Sequence, residues 1–288
     1  MNQWLNDSMN QVKKWAAAAL SGFFLVACLP KLNLHPLVWI ALVPLLLALT
    51  SETNPWRAFA LAYLSGAVFL GGSCYWFVGV TQQYGGLSQG LALLALLLFL
   101  VVFSFFFGAF GLVVGCVARK SPALALLLSP FLWVAIELAR TFLITGFPWN
   151  LLGYGVSFAG LRQIASVTGI YGLSFLAAAS SALTAWAILR WRSRWPRVAL
   201  AGWAALLLIG NWALAPPAPA QGLNMALLLQ PNVPLDEPAL DAWIPWRDSA
   251  QLQQLVNLSV STVDKFMNRP MSATLPGAPP ASGPPLLV

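Results

Sequence analysis

The 288-residue chain is 59% hydrophobic and only 8% charged, and its mean hydropathy is +0.75. This composition excludes an ordinary water-soluble domain and is typical of an integral membrane protein. The net charge of +7 does not indicate nucleic-acid binding, because basic residues collect in the cytoplasmic loops of membrane proteins and contact anionic lipid there.

Seven apolar stretches predict membrane-spanning helices, since a span needs about 20 apolar residues to cross the hydrocarbon core. They are residues 15–30, 34–50, 57–79, 88–118, 122–145, 163–189 and 197–215. The first two are short enough to form one broken pair, and the fourth is long enough to tilt. The first is interpreted as a retained span, because no small-residue cleavage site follows it.

Basic residues are distributed unevenly among the predicted loops. With the N-terminus in the cytoplasm, nine of the 15 Lys and Arg side chains lie in inner segments. Those nine are Lys13, Lys14, Arg57, Arg119, Lys120, Arg190, Arg192, Arg194 and Arg197. Outer loops and span ends hold only Lys31, Arg140 and Arg162. The positive-inside rule therefore predicts a cytoplasmic N-terminus, and an odd number of spans places the C-terminal tail in the periplasm.

The composition changes at a proline-rich boundary that separates a predicted transmembrane domain, residues 1–215, from a second domain, residues 216–288. Residues 223–229 form an apolar run that predicts a buried strand, and residues 236–261 have the amphipathic pattern of one helix packed on a sheet. The apolar residues 284–288 predict the start of a second strand. We therefore expect an α/β outer domain of which this chain holds only the N-terminal part.

The cysteines and the histidine give little support to a metal or a nucleophilic site. Cys28, Cys74 and Cys116 all fall in predicted spans without CxxC spacing, which predicts small buried side chains. His35 is the only histidine, and no carboxylate lies near it in sequence. A Ser-His-Asp triad and a zinc site are therefore disfavoured, and no metal or cofactor is expected.

Two ionisable residues lie inside the fifth predicted span. Each costs roughly 2.5 to 3.5 kcal/mol at the centre of a membrane helix, so such residues are normally paired, turned inward and functional. Glu137 and Arg140 are three positions apart, which places them on one helix face, close enough to pair. Glu137 is also the only acidic residue within any predicted span.

The segment from Gly146 to Tyr154 predicts the outer connection after this span, because Gly146 permits a turn and Pro148 ends the helix. Trp149 and Tyr154 suit the headgroup interface. Asn150 and Gln163 offer amide donors and acceptors. Two interpretations remain open: a capping and interface-anchoring segment, or a polar pocket that opens to the outer leaflet and includes the two ionisable residues.

Motifs in three parts of the chain resemble one known family. They are Trp133-x3-Glu137-x2-Arg140 with TGFPWNLLGYG (145–155) and Gln163-x5-Gly169-x-Tyr171-Gly172, GAVFLGGSCYW (66–76), and LLLQPNVP (227–234) followed by Trp243 and Trp246. In this order, the motifs resemble the membrane part and the start of the outer domain of bacterial apolipoprotein N-acyltransferase.

The resemblance implies a function in lipoprotein maturation at the bacterial inner membrane. A phospholipid would donate an acyl chain, through a cysteine thioester, to the N-terminal diacylglyceryl-cysteine of a diacylated apolipoprotein. The family carries a Glu-Lys-Cys triad in a nitrilase-like (carbon-nitrogen hydrolase) outer domain. On this comparison the triad would follow Val288, and none of the three cysteines matches the nucleophile. We therefore expect the 288-residue chain to be a fragment that is inactive alone.

The resemblance also implies roles for the candidate residues. The aromatic and amide side chains would line the entrance for phospholipid or lipoprotein, and the ionisable pair would hold helices or a loop in place. The candidate pocket residues are Glu137, Arg140, Trp149, Asn150, Tyr154, Gln163, Trp243 and Trp246. The alternatives are a non-enzymatic polytopic protein that binds lipid or a partner at Glu137, and a membrane anchor that only scaffolds partners.

Overall fold

The structure is a computed structural model that describes residues 2–144, 146–215, 226–227, 249–267 and 286–287. The chain forms two compact units, Met1–Pro216 and Pro217–Val288.

The described residues of the first unit are helical with short connections. Its α-helices are α1 (Asn2–Ala27), α2 (Val43–Thr50), α3 (Pro55–Ser73), α4 (Trp76–Gln83), α5 (Gln89–Ala118), α6 (Pro122–Phe142), α7 (Ala159–Arg162), α8 (Ala165–Leu189) and α9 (Arg194–Ala213). Two short 3-10 helices cover His35–Trp39 and Leu152–Gly155.

The starts of α3 and α6 follow directly from the sequence. Each begins with a proline, whose missing N–H costs nothing at a helix start. The side chain of Asn54 accepts hydrogen bonds from Trp56 N and Arg57 N, and Ser121 Oγ accepts one from Leu124 N. These caps satisfy backbone donors that the first turn of a helix leaves unpaired.

Within the described residues, α5, α6 and α8 are long and apolar enough to cross a membrane. A fourth span results if α3 and α4, which are bent by 55° at Cys74 and Tyr75, are one broken span. These helices occupy the four predicted stretches between residues 57 and 189. The other three stretches also contain helices, α1, α2 and α9, but none of these satisfies the same requirement. A total of seven spans therefore stays a prediction.

Small residues allow α3 and α5 to pack closely, as is common where helices associate without a hydrophobic driving force. A Cβ atom added to Gly111 of α5 would lie 2.5 Å from the carbonyl oxygen of Ala58 and would also collide with the Cβ of Ala62. Gly115, one turn further on, lies against the side chain of Ala58 in the same way. The backbones of the two helices are therefore in direct contact.

Helix α6 passes through Pro130 without ending. A proline within a helix has no N–H to donate to the carbonyl four residues earlier, here that of Leu126. The Ser129 hydroxyl donates to this carbonyl at 2.8 Å and replaces the missing bond. The helix can therefore continue to Phe142 and carry Glu137 and Arg140.

The expectation for the cysteines is correct for two and wrong for one. Cys28 and Cys74 are buried, but Cys116 is exposed. The physical reason is that neighbouring helices cover only part of α5, and only 22% of its apolar span is buried inside the protein. The side chain of Cys116 lies on an uncovered face of that helix.

One ion pair is found among the described residues, and it fastens α1 to the connection between α2 and α3. Lys14 Nζ lies 2.9 Å from Glu52 Oε2, and Gln11 Nε2 donates to the same oxygen at 3.3 Å. The backbone N–H groups of Thr53 and Asn54 both donate to Oε1 at 3.0 Å. The carboxylate of Glu52 is thus buried, and two side chains and two backbone N–H groups donate hydrogen bonds to it.

The stability of the helical unit is expected to depend on the ionisation of Glu52. Burial raises the pKa of Glu52, but the hydrogen bonds from Asn54, Lys14 and Gln11 outweigh burial and hold this pKa below its ordinary value. The stabilisation is therefore complete above the ordinary value of about 4.3 and is lost as pH falls through the lower folded value. Thermal unfolding in detergent should show an acid-dependent decrease that Glu52→Gln lacks; parallel pH curves for the two proteins would contradict this prediction.

The described residues of the second unit form two strands and one helix. β1 (Ala226–Leu227) pairs in parallel with β2 (Leu286–Leu287), and α10 (Ser249–Met267) lies between them in sequence. Both strands fall within the predicted strand segments, and α10 overlaps the predicted helix. The earlier part of that helix, before residue 249, lies outside the described residues.

Candidate functional site

Helix α6 presents three large polar or aromatic side chains to the interior of the helical unit. Trp133, Glu137 and Arg140 are 1%, 3% and 2% exposed. Their spacing of four and three residues places them on one face of the helix. Since a buried charge is costly unless other groups compensate it, the partners of Glu137 and Arg140 determine what this face does.

Glu137 holds the start of the short helix Leu152–Gly155. Its Oε1 accepts a hydrogen bond from Leu152 N at 2.8 Å and another from Trp133 Nε1 at 3.0 Å. Phe107 and Phe110 pack edge-on against the Trp133 ring, with centroids 5.6 and 5.3 Å away. These ring contacts hold the Trp133 indole in place, and the hydrogen bond from its N–H holds the Glu137 carboxylate in place.

Residues 146–155 are called the outer loop, after the predicted topology. Arg140 holds the part of this loop that precedes the short helix. Its NH2 donates to the carbonyl oxygens of Trp149 and Asn150, at 3.1 Å each. The Arg140 carbonyl also accepts from Phe147 N at 2.8 Å, just after Gly146 turns the chain with a φ of 81°. The side chain and the backbone of one residue thus bind the loop at two places.

The structure corrects the expectation that Glu137 and Arg140 pair directly. No ion pair joins the two side chains; Arg140 NH2 and Glu137 Oε1 bind the backbone of the outer loop instead. Glu137 Oε2 and Arg140 Nε and NH1 make no hydrogen bond and border a closed cavity of about 10 Å³. This cavity is far too small for a substrate, so the two residues lie beneath the loop and do not line an open pocket.

The outer loop has two further attachments. Asn150 has a φ of 56°, which asparagine tolerates better than most residues, and its Nδ2 lies 3.3 Å from the sulfur of Cys74. Gly153 N donates to Ser174 Oγ at 2.9 Å. The loop is therefore bound to α6, to α8 and to the break between α3 and α4.

An open cavity of about 430 Å³ lies on this loop, and its size is within the range of about 300–1,000 Å³ typical of ligand sites. Trp149, Asn150 and Tyr154, three of the candidate residues from the sequence, line it. The cavity also includes Leu29, Pro30 and Trp76, which the sequence analysis did not select. The sequence did give one indication of Trp76, because it is the last residue of the motif GAVFLGGSCYW (66–76).

Aromatic contacts fix the wall of this cavity. The Trp149 ring packs edge-on against Trp76, with centroids 6.0 Å apart, and against Phe147 at 5.3 Å. Trp149 nevertheless remains 58% exposed and Tyr154 52% exposed. An aromatic surface with one amide at its base suits an apolar chain with a polar end better than it suits a charged ligand.

The structure does not bring every candidate residue to this cavity. Gln163 is exposed in the connection between α7 and α8, where its Nε2 donates to Ala159 O at 3.4 Å. Trp243 and Trp246 lie outside the described residues.

The described residues that line the cavity include no carboxylate, thiol or imidazole side chain. The Cys74 thiol is buried beside Ser73 and Asn150, without a base or cation in hydrogen-bonding contact. In the described part of the chain, no group of three His, Cys, Asp or Glu side chains is arranged to hold a metal ion. The contacts seen here position the outer loop and shape the cavity beside it.

The long apolar helices and the buried polar residues beneath an outer loop define a polytopic helical membrane protein. Residues 21–183 match the family model of the apolipoprotein N-acyltransferase N-terminal domain. The chain belongs to the apolipoprotein N-acyltransferase family, which confirms the resemblance.

Relatives named apolipoprotein N-acyltransferase occur in several bacteria. The chain is 36% identical over 221 residues to that of Geobacter metallireducens, which covers 75% of this chain and 37% of the relative. It is 32% identical over 235 residues to that of Methylococcus capsulatus, with coverages of 78% and 45%. The relative from Coxiella burnetii is 31% identical over 163 residues, with coverages of 56% and 33%. The matched part of the chain thus spans 33–45% of the length of these relatives.

Proposed function

We propose that this chain is the membrane part of an apolipoprotein N-acyltransferase of the bacterial inner membrane. The acyl donor is a phospholipid, and the acceptor is the N-terminal diacylglyceryl-cysteine of a diacylated apolipoprotein. The observation that carries the proposal is the family match over residues 21–183, together with relatives of that name that cover most of this chain.

The proposal includes a topology and a domain organisation. Residues 1–215 form about seven spans with a cytoplasmic N-terminus, and residues 216–288 begin a periplasmic nitrilase-like domain. The unequal distribution of Lys and Arg supports this orientation. The parallel pairing of β1 and β2, with α10 between them in sequence, supports an α/β architecture for the second unit.

The cavity beside the outer loop would bind an acyl chain of the donor or of the lipoprotein. Its aromatic wall offers apolar contact, while Asn150 supplies an amide that can meet the ester region of a lipid. Gln163, Trp243 and Trp246 remain candidates for contact with substrate. Glu137 and Arg140 are positioning residues, because their hydrogen bonds go to the loop backbone.

Acylation of a reporter lipoprotein tests the proposal. The chain would be expressed as the 288 residues and with the coding sequence that follows codon 288, in cells depleted of their own N-acyltransferase. Mass spectrometry of the reporter N-terminus should show acylation with the continued coding sequence. If neither form acylates the reporter, the enzyme proposal fails and a non-enzymatic lipid-binding role takes its place.

Substitution of the cavity wall is expected to slow this acylation. Trp149→Ala removes an aromatic surface that contacts the acyl chain, and a loss of about 1.4 kcal/mol in transition-state binding corresponds to about a tenfold lower rate. Trp212→Ala is the matched control, since Trp212 is 81% exposed on α9. Equal initial acylation rates for the two variants at equal protein levels would show that the cavity does not bind substrate.

A further inference from the structure

Another cavity lies towards the opposite end of α6 from the outer loop. Its volume is about 580 Å³, and it is lined by residues of α6, α8 and α9. Ala123 and Leu127 line it from α6, Ala179 and Trp186 from α8, and Trp203 from α9. The cavity is therefore formed by parts of three helices to which the acyltransferase proposal assigns no role.

The shape of this cavity fits a single extended hydrocarbon chain. The rings of Phe131 and Phe175 meet edge-on, with centroids 4.9 Å apart, and close the end nearer the middle of α6. Trp186 lies towards the other end, about 16 Å from Phe175 along α8 at the usual helical rise. This length is about half of the roughly 30 Å hydrocarbon core, which is the depth of one leaflet.

The wall of the cavity offers almost no hydrogen-bonding group to an occupant. The indole N–H of Trp203 is the polar group on the α9 side, and it donates to Ser180 Oγ at 2.7 Å. The other lining side chains are aliphatic or aromatic. An acyl chain needs no hydrogen bonds and can occupy such a cavity. A polar ligand would lose its hydrogen bonds to water and gain none from the wall.

Exposed cations lie next to the ends of the helices that line the cavity, on the side of Trp186. Lys120 lies just before α6, Arg190 follows the last turn of α8, and Arg194 begins α9. The ion pair between Lys14 and Glu52 involves none of these three cations. The first turn of α9 also has no side-chain cap, so the backbone N–H groups of Arg194 and Trp195 favour an anion, while Pro196 has no N–H to offer.

We propose that this cavity binds one acyl chain of an anionic phospholipid, whose phosphate lies on the arginines of the α8–α9 turn. The lipid is a bound structural ligand, and it holds α9 against α6 and α8. The site is separate from the cavity at the outer loop, so it does not depend on acyltransferase activity.

Native mass spectrometry of the delipidated 288-residue chain in detergent tests this proposal. Dioleoylphosphatidylglycerol and dioleoylphosphatidylcholine, which have the same acyl chains, would be titrated separately. One phosphatidylglycerol molecule is expected to remain bound with about 30-fold higher affinity, which corresponds to about 1 kcal/mol from each of the two arginines near the headgroup. Arg190→Gln combined with Arg194→Gln is expected to reduce binding to the phosphatidylcholine level, whereas Arg57→Gln at the start of α3 leaves it unchanged.

A second variant tests the acyl-chain half of the site. Ala179→Phe fills the cavity and is expected to abolish the bound phosphatidylglycerol, whereas Ala201→Phe on an exposed position of α9 retains it. Equal binding of the two lipids overturns the proposal, and so does retention of the preference in the double arginine variant. Retention of the lipid by folded Ala179→Phe also overturns it. The arginine variants change only exposed side chains, so the proposal stays testable if Ala179→Phe does not fold.

Discussion

Replacing Arg140 with methionine is expected to destabilise the helical unit by about 3–5 kcal/mol and to release the outer loop, because it removes one of two buried opposite charges. The substitution leaves the carbonyl oxygens of Trp149 and Asn150 without their donor. It also leaves the buried carboxylate of Glu137 without the nearby positive charge. Denaturant unfolding in detergent measures the loss of stability, and hydrogen exchange of residues 146–155 measures the release of the loop.

Arg162→Met is the matched control for this experiment. Arg162 is exposed at the end of α7, so its loss is expected to change stability by less than about 0.5 kcal/mol. Arg140→Lys should be intermediate, since an ammonium group does not reproduce the planar fork of a guanidinium. If Arg140→Met unfolds at the same denaturant concentration as Arg162→Met, Arg140 does not hold the loop.

Gly111→Leu is the second change with a large expected effect. The new side chain would begin 2.5 Å from a backbone oxygen of α3, and backbone cannot rotate away as a side chain can. Overpacking of a core usually costs about 1–3 kcal/mol, and contact with backbone is expected to bring the cost to the upper end of that range or beyond. Unfolding in detergent should therefore show a large decrease in stability together with a loss of the α3–α5 contact.

The control for this prediction lies on the same helix. A Cβ atom added to Gly90 of α5 meets no atom within 4 Å, so Gly90→Leu changes the side chain by the same amount without a collision. Gly90→Leu is expected to unfold near the wild-type denaturant concentration. Similar losses in the two variants would contradict close packing at Gly111 as the cause of the effect, since the higher helix propensity of leucine predicts no loss at either position.

The class of fold was predictable because the length of each apolar stretch can be read directly from the sequence. The stretches at residues 88–118, 122–145 and 163–189 contain helices that satisfy the length and hydropathy of a span. The stretch at 57–79 was predicted as one span, yet the chain bends by 55° after α3. Its composition stays apolar through the bend, so hydropathy alone gives no sign of it.

The candidate site was predictable only in part, for a similar reason. Helical spacing correctly placed Glu137 and Arg140 on one face, and the aromatic residues of the loop do line a cavity. The partners of the two charges were not predictable, because the path of the outer loop decides which backbone atoms come within reach. That path depends on the left-handed conformation of Asn150 and on contacts with Cys74 and Ser174, which are distant in sequence.

The way in which the outer loop is attached determines which side chains of the cavity can change without moving the loop. Glu137 and Arg140 reach main-chain atoms of the loop, which every amino acid possesses. The side chain of Trp149 can therefore be exchanged without removing a hydrogen bond that fixes the loop's position. The framework of the cavity and the chemistry of its lining are therefore set by different atoms, so the lining can change while the loop keeps its position.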